Sequence, residues 1–361
     1  MDSHSSKRID NMIKCQICNN PDCIRTAEEV LDTIYDLYTA CENCVPEPEW
    51  NTTAPFKTIT DIQTLSSTFL LCNSCGRRPL NAVMAHALSI MIRHGERDEN
   101  AGLIRTGTPL IYRGFPIMYP PRLGPDSLVL IVDNTGLLTA QDIVGQVPEI
   151  KGVILRTGSQ AKSVGILDSN SRPHEYTLLA GCDMRCDVVQ SAFGELVIYK
   201  NQSKIHIEFD NDHKMQILGS LDVKGILAGK VVVDGMCGPG TLGLMSMLFG
   251  ARKVIFNDAW RPAIENLLLN LEVNSAILGV EVEPVLSITD LSLIGDKPVQ
   301  VAVVKRDGRI AAKVYFGDLR YLPDIIDGCD VCLIDAFPAV DPSKFVNIWG
   351  KKDKGSRIIV V

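Results

Sequence analysis

Two groups of residues in this chain of 361 have types and spacings that could do chemistry. The first is Val231-Val-Val-Asp234-Gly-Met-Cys-Gly238-Pro-Gly240-Thr-Leu-Gly243, with a second acid at Phe256-Asn257-Asp258. A loop that turns sharply from a strand into a helix and brings its backbone close to a ligand needs glycines. Gly238-x-Gly240-x-x-Gly243 formally matches a dinucleotide loop, and Asp258 stands where the ribose acid of such a site would. The glycines alone therefore leave the ligand open. A pyrophosphate loop starts its glycines directly after the strand, on the helix N-terminus. Here Asp234 closes the strand, and Gly235, Met236 and Cys237 intervene before Gly238. A carboxylate at that place repels a pyrophosphate and suits a cationic ligand. Asp258, at the end of the next strand, is placed to accept both hydroxyls of a ribose.

The second group is cysteine. Seven of twelve lie in the first 75 residues: Cys15, Cys18, Cys23, Cys41, Cys44, Cys72 and Cys75. Paired spacing without a secretion signal favours metal over disulfides. Cys41 and Cys44 with Cys72 and Cys75 make a four-thiolate set suited to zinc. Cys15, Cys18 and Cys23 remain as a second cluster, open to a fourth ligand from His4, His86 or elsewhere, or to an iron–sulfur cluster. Cys182, Cys186, Cys329 and Cys332 are less telling; Cys329 and Cys332 are read as core, and His86 and His94 as ordinary helix residues.

These residues need elements to position them. In the last third, strand-like runs at Val231–Asp234, Lys253–Asn257, Val314–Phe316, Val331–Ile334 and Ile358–Val361 alternate with helical patterns at 241–249 and 262–274. That alternation specifies a parallel sheet with crossovers. Val299–Val304 and Ile310–Phe316 read as an inserted hairpin around Asp307-Gly308. In the middle, Leu128–Val132, Thr139–Val147 and Gly152–Leu155 form a βαβ pattern, and a hairpin is expected around Asn201-Gln202-Ser203. Residues 77–125 hold seven arginines, no lysine and three acids; Gly107–Pro125 reads as a linker or extended binding loop. The organisation expected is a small Cys-rich metal-binding module over 1–76, an Arg-rich helix and linker over 77–125, a middle α/β domain over 126–220, and a Rossmann-like α/β sheet over 221–361.

With these residues in place, the stretch from Asp234 to Asn274 resembles motifs I and II of the class I S-adenosylmethionine-dependent methyltransferases. Gly250-Ala-Arg-Lys-Val-Ile-Phe-Asn-Asp258 and Glu265-Asn-Leu-Leu-Leu-Asn270 are most similar to the tRNA (guanine-N1) and (guanine-N2) methyltransferases. The resemblance covers about 130 of the 361 residues and implies S-adenosylmethionine bound by Asp234, Gly238, Gly240 and Asp258. It further implies that Asp318, in Phe316-Gly-Asp318, contacts the adenine amino group, and that Asp335-Ala-Phe-Pro338 frames the reaction site. There Asp335 orients or deprotonates the acceptor, and Phe337 and Pro338 line it. Ala336 stands where the amino-methyltransferase pattern has proline, so the target atom stays open.

The composition, 46% hydrophobic and 22% charged, is that of an ordinary globular chain. No apolar run reaches the roughly 20 residues of a membrane helix, so the expectation is a cytoplasmic protein without membrane contact. The net charge of −7 argues against nonspecific polyanion binding, while the arginine segment offers a phosphate-docking face. The leading reading is therefore a methyltransferase acting on RNA, on a tRNA base in tRNA processing. The alternatives are methylation of a protein or small-molecule intermediate, or a non-catalytic binding or redox module on the same scaffold. The strand at Ile358 would leave an exposed sheet edge, to be covered by the middle domain, a second subunit or further chain.

Overall fold

The computed structural model describes residues 13–361 apart from 160–161, 208–211, 338–339 and 354. In chain order the strands are β1 (Arg78–Pro79), β2 (Thr108–Ile111), β3 (Arg113–Gly114), β4 (Arg122–Leu123), β5 (Leu128–Val132), β6 (Ile150–Leu155), β7 (Thr177–Gly181), β8 (Met184–Ser191) and β9 (Gly194–Asn201). There follow β10 (Val231–Asp234), β11 (Lys253–Asp258), β12 (Glu281–Pro284), β13 (Val299–Arg306), β14 (Arg309–Phe316), β15 (Val331–Ile334) and β16 (Arg357–Val360). The helices are α1 (Ala27–Leu31), α2 (Leu80–Arg93), α3 (Leu137–Gln146), α4 (Asp212–Val223), α5 (Thr241–Leu248), α6 (Arg261–Val273), α7 (Ser275–Leu278) and α8 (Ser343–Lys352).

The C-terminal sheet has the order β12-β13-β14-β11-β10-β15-β16. Strands β14, β11, β10, β15 and β16 run parallel. Numbered along the chain these five have the order 3-2-1-4-5, so the order reverses between β10 and β15, where an open α/β sheet forms its ligand crevice. This is a Rossmann-like open α/β sheet. Its strands are apolar along their length (Val232, Val233, Val254, Phe256, Leu333 and Ile334 are fully buried) because helices cover both faces. The hairpin expected at Asp307-Gly308 forms, with both turn residues at positive φ. It is no insertion, however: its second half, β14, is the third parallel strand; β13 is added antiparallel to it and β12 antiparallel to β13.

Two smaller sheets, β2-β5-β6-β7 and β3-β8-β9, build the middle of the molecule. The βαβ unit of β5, α3 and β6 is present and parallel. The hairpin expected around Asn201-Gln202-Ser203 is not. The chain instead turns at Ala192-Phe193, pairing Ser191 with Gly194 and Met184 with Asn201. Charged Arg185 and Asp187 hid β8 from a hydropathy reading; the structure pairs them with each other at 2.5 Å. One continuous core joins Cys15, Ile34 and Tyr38 to α2, β5, β6 and Tyr199.

The arginine segment corrects the expectation of a docking face. Arg78 is wholly buried, its Nε and Nη2 donating to the two carboxylate oxygens of Glu149 at 2.7 and 2.5 Å. Arg122 is buried beside Glu47, Arg113 is buried too, and Arg97 donates to backbone carbonyls of Arg105, Glu96 and Asn134. The 107–125 stretch is likewise structured, supplying β2, β3 and β4. Among the described residues no helix is long and apolar enough to cross a membrane.

A ladder of amides fastens β9 to α6. Asn266, Asn270 and Asn274 recur every four residues and so share one helix face. Asn274 accepts from Val197 N at 2.9 Å and donates to Val197 O at 2.7 Å. Asn270 does the same to Tyr199 at 2.7 and 2.9 Å, and Asn266 accepts from Asn201 N at 3.0 Å. Each side chain substitutes for a residue of a neighbouring strand, so β9 is satisfied where it leaves its sheet.

Candidate functional site

At the carboxyl ends of β10, β11 and β15 lies a cavity of about 460 Å³. One wall is the loop Gly235–Pro239 with Thr241; a second is Asn257–Trp260; a third is Asp335, Ala336 and Phe337. The remaining walls come from outside the sheet: Val164–Asp168 of the middle region, Lys204–Ile207, and His213 and Lys214 of α4.

Close packing explains the loop glycines. A Cβ on Gly243 would lie 2.2 Å from the Phe256 ring, and Gly240 has φ +93° with its Cβ position 2.4 Å from Leu267. The loop is then fixed by polar contacts. Asp234 Oδ2 accepts from Gly243 N at 2.8 Å, and Asp258 accepts from Gly238 N at 2.9 Å and Trp260 N at 2.8 Å. Asn270, besides its ladder contacts, donates to Pro239 O at 2.9 Å. Asn257 holds Gly235 O and Gly317 O at 3.1 and 2.9 Å.

The site is electrostatically unbalanced. Asp234 is fully buried and its Oδ1 has no partner among the described residues. Burial, with the nearby charges of Asp335 and Asp258, pushes its carboxyl up to about 7 despite the Gly243 N–H. Burial raises Asp258 to about 6, against hydrogen bonds from Trp260 and Gly238 and with Asp335 adding to the rise. Asp335 is paired with Lys214, and Lys200 and Lys204 also line the cavity. The carboxyls without a cation partner among the described residues are therefore Asp258 on the wall and Asp234 behind the loop. These two favour a cationic occupant. An orphaned buried oxygen, two acids held above their usual range and a sharp glycine loop are a donor set that S-adenosylmethionine fits.

Of the residues singled out from the sequence, Gly238, Asp258, Asp335 and Phe337 line this cavity. Asp234 and Gly240 do not line it, and shape the loop from behind through the contacts just given. Asp318 lies elsewhere. It caps the turn that follows it, accepting from Arg320 N and Nε at 2.9 Å each, Arg320 Nη2 at 2.6 Å and Ser169 N at 2.8 Å. Burial alone would raise its carboxyl, but these bonds hold it below the ordinary range. Pro338 lies outside the described residues.

Sequence reasoning missed the rest of the pocket. Lys214 pairs with Asp335, and the His206 ring meets Phe337 edge-on with centroids 5.8 Å apart. Gly165–Asp168 forms a strap over the site, tied by Ser169 N to Asp318 and by Asp168 to Lys344. These segments come from regions whose periodicity says nothing of a sheet end far along the chain.

The cysteines form two tetrads: Cys41, Cys44, Cys72 and Cys75, and Cys15, Cys18, Cys23 and Cys182. In each, the four sulfurs lie within 4.8 Å of one another. Measured separations are 3.6 Å for Cys41–Cys44, Cys41–Cys72 and Cys44–Cys75, and 3.8 Å for Cys15–Cys182 and Cys23–Cys182. Four thiolates ~2.3 Å from one tetrahedral ion lie ~3.8 Å apart. Such spacing fits one ion and is too tight for a cluster of several irons. The fourth ligand of the second set is thus Cys182 at the foot of β8. His86 is a buried helix residue, burial lowering its imidazole to about 4, and His4 lies outside the described residues.

No family model matches the chain, and no curated protein sequence matches it. Solved structures do. Trm5b from Pyrococcus abyssi is 14% identical over 64% of this chain and 56% of its own, with a TM-score of 0.36. The M. jannaschii tRNA m1G37 methyltransferase is 15% identical over 61% and 51%, with a TM-score of 0.33. The Pyrococcus abyssi tRNA (uracil-54, C5)-methyltransferase, in complex with S-adenosyl-L-homocysteine, is 14% identical over 64% and 44%, with a TM-score of 0.37. The chain spans about half the length of these structures, and likeness at this level bears on fold alone.

Proposed function

We propose that the chain is an S-adenosylmethionine-dependent methyltransferase whose methyl acceptor is a nucleobase in RNA. The observation that carries the reading is the meeting, in one cavity at the switch point of the sheet, of the Gly238 loop, Asp258 and Asp335. When bound, the sulfonium supplies the methyl group. Asp258 would grip the ribose with the lone pairs its two backbone contacts leave free, and the negative field of Asp234 would favour the cationic end. Asp335, steadied by Lys214, would orient the acceptor or take its proton, and Phe337 with His206 would flank a planar ring. Rate acceleration would come chiefly from holding acceptor and methyl group in line in a desolvated site.

Zinc would be held by the two cysteine tetrads, remote in sequence from the sheet and structural in role.

The burial of Arg78, Arg113 and Arg122 favours a second reading, a small-molecule acceptor, because it leaves only the other arginines of residues 77–125 to meet a phosphate backbone. The test is transfer of labelled methyl from S-adenosylmethionine to total RNA and, separately, to the small-molecule fraction of an extract, at rising salt. Methyl in RNA, lost steeply with salt, supports the first reading; label in small molecules alone replaces it with the second.

A further inference from the structure

A second cavity, of about 350 Å³, opens beside the Cys15–Cys18–Cys23–Cys182 tetrad and shares no lining residue with the nucleoside pocket. Its walls include Arg113, Lys151, Tyr38, Tyr112 and Cys18. Arg113 is only 8% exposed, yet its guanidinium has no ion pair or hydrogen bond among the described residues, and its enclosed Nε is without a partner. Its sole recorded neighbour of note is the Tyr112 ring, 5.5 Å from Cζ. A guanidinium stays charged at any ordinary pH, and a buried unpaired charge is costly.

The acids nearby do not answer it: Asp126, on the cavity wall, is exposed and makes no ion pair with it. Asp187 is taken by Arg185 and Lys200, and Asp22 by Arg25. Cys186, the register partner of Arg113, is a neutral thiol, burial pushing it up to about 12. The cation belonging to the sulfur tetrad is Lys151, whose Nζ reaches Cys23 Sγ at 3.3 Å and Met184 O at 2.8 Å. Its remaining side faces the Tyr112 ring, with Nζ 3.5 Å from the centroid, so Lys151 contributes positive charge to the cavity while its own bonds are taken.

We propose that this cavity is a second ligand site, in which the Arg113 guanidinium takes an oxyanion, the phosphate or carboxylate group of a small molecule, beside the positive charge of Lys151. The planar fork of Arg113 matches either group with two parallel bonds. The cavity lies within the size range of small-molecule sites, and the Tyr38 and Tyr112 rings give the ligand's body an apolar wall. This site is independent of the nucleoside pocket.

The test is calorimetric titration of the metal-loaded full chain with inorganic phosphate and, separately, with acetate. The expected result is saturable binding of one of them, one per chain, weakened at least about tenfold in Arg113→Gln and less in Arg113→Lys, with metal content unchanged. The arm that binds names the group. Because the unliganded guanidinium is unpaired, Arg113→Gln should also melt no lower than the parent without anion and should lose the rise in Tm that the anion gives the parent. Saturable binding of neither anion, or equal binding by the parent and both variants, overturns the proposal.

Discussion

Asp258 and Gly238 are joined across the ends of two adjacent parallel strands, the aspartate Oδ2 accepting the glycine N–H at 2.9 Å. The same carboxylate thus sets the glycine loop and faces the cavity. Its state of charge should govern the ligand. Asp258 and Asp234 sit at about 6 and about 7, so both are largely protonated at pH 5 and ionised at pH 8. A cationic nucleoside favours the ionised pair. Affinity for S-adenosylmethionine should therefore rise about tenfold or more from pH 5 to pH 8, with proton release near pH 6.5. Calorimetry in two buffers of different ionisation enthalpy reads both; a flat profile would separate these acids from the ligand.

Without ligand the same shift works against the fold. A carboxyl raised from the usual ~3.9 to about 7 binds its proton more tightly folded than unfolded. Its contribution is present below about pH 4 and is lost as pH rises through about 7. Asp234→Asn should keep an acceptor for Gly243 N–H and abolish that decline. The variant should melt higher than the parent at pH 8 and show little difference at pH 4. Equal melting curves at pH 8 would contradict the assigned shift.

Asn270 connects β9 to the glycine loop through Tyr199 and Pro239. Asn270→Ala leaves two buried backbone groups of Tyr199 and one of Pro239 without partners. Each such group costs about 1–3 kcal/mol, so denaturant unfolding should show a loss of at least about 3 kcal/mol. Affinity for the nucleoside should fall as well, since the loop loses an anchor. Asn274→Ala, whose amide bonds Val197 and the Asn270 carbonyl but does not reach the glycine loop, should cost stability and leave affinity near that of the parent.

The two tetrads make a stoichiometric prediction. Metal analysis of the full chain should find two zinc ions. Cys182→Ser should retain one, and Cys72→Ser should retain one. Chelation should lower Tm sharply, because structural zinc adds directly to folding energy. A single metal in the parent, or Cys182→Ser with two, would break the assignment of Cys182.

Arg78 and Glu149 form a buried, bidentate pair 71 residues apart. Arg78→Met should cost about 3–5 kcal/mol by stranding Glu149, and pairing it with Glu149→Leu should recover most of that loss. Chemical denaturation of the single and double variants measures it.

The glycine loop with Asp234 and Asp258 was readable in the sequence because its determinants are local: apolar strand, turn glycines and helix start within a few dozen residues. The paired Cys41–Cys44 and Cys72–Cys75 were readable for the same reason. Cys182 was not, since it lies 159 residues from Cys23. The arginines of residues 77–125 looked like a surface because their partners, Glu149 and Glu47, are not their neighbours in sequence. The bonds that Asp318 makes to Arg320 and Ser169 were not readable from its place after a strand, since Ser169 is 149 residues away. The strap at Gly165–Asp168 and the pairing of Lys214 with Asp335 also depend on long-range packing that periodicity does not encode.

The most direct test is calorimetric titration of the full chain with S-adenosylmethionine and, in parallel, NAD. The account predicts one S-adenosylmethionine bound per chain, no binding of NAD, and affinity lowered at least about tenfold in Asp258→Ala, the loss of charged hydrogen bonds to the ribose. Tight NAD binding, no binding of S-adenosylmethionine, or an Asp258→Ala variant with the parent's affinity would contradict it.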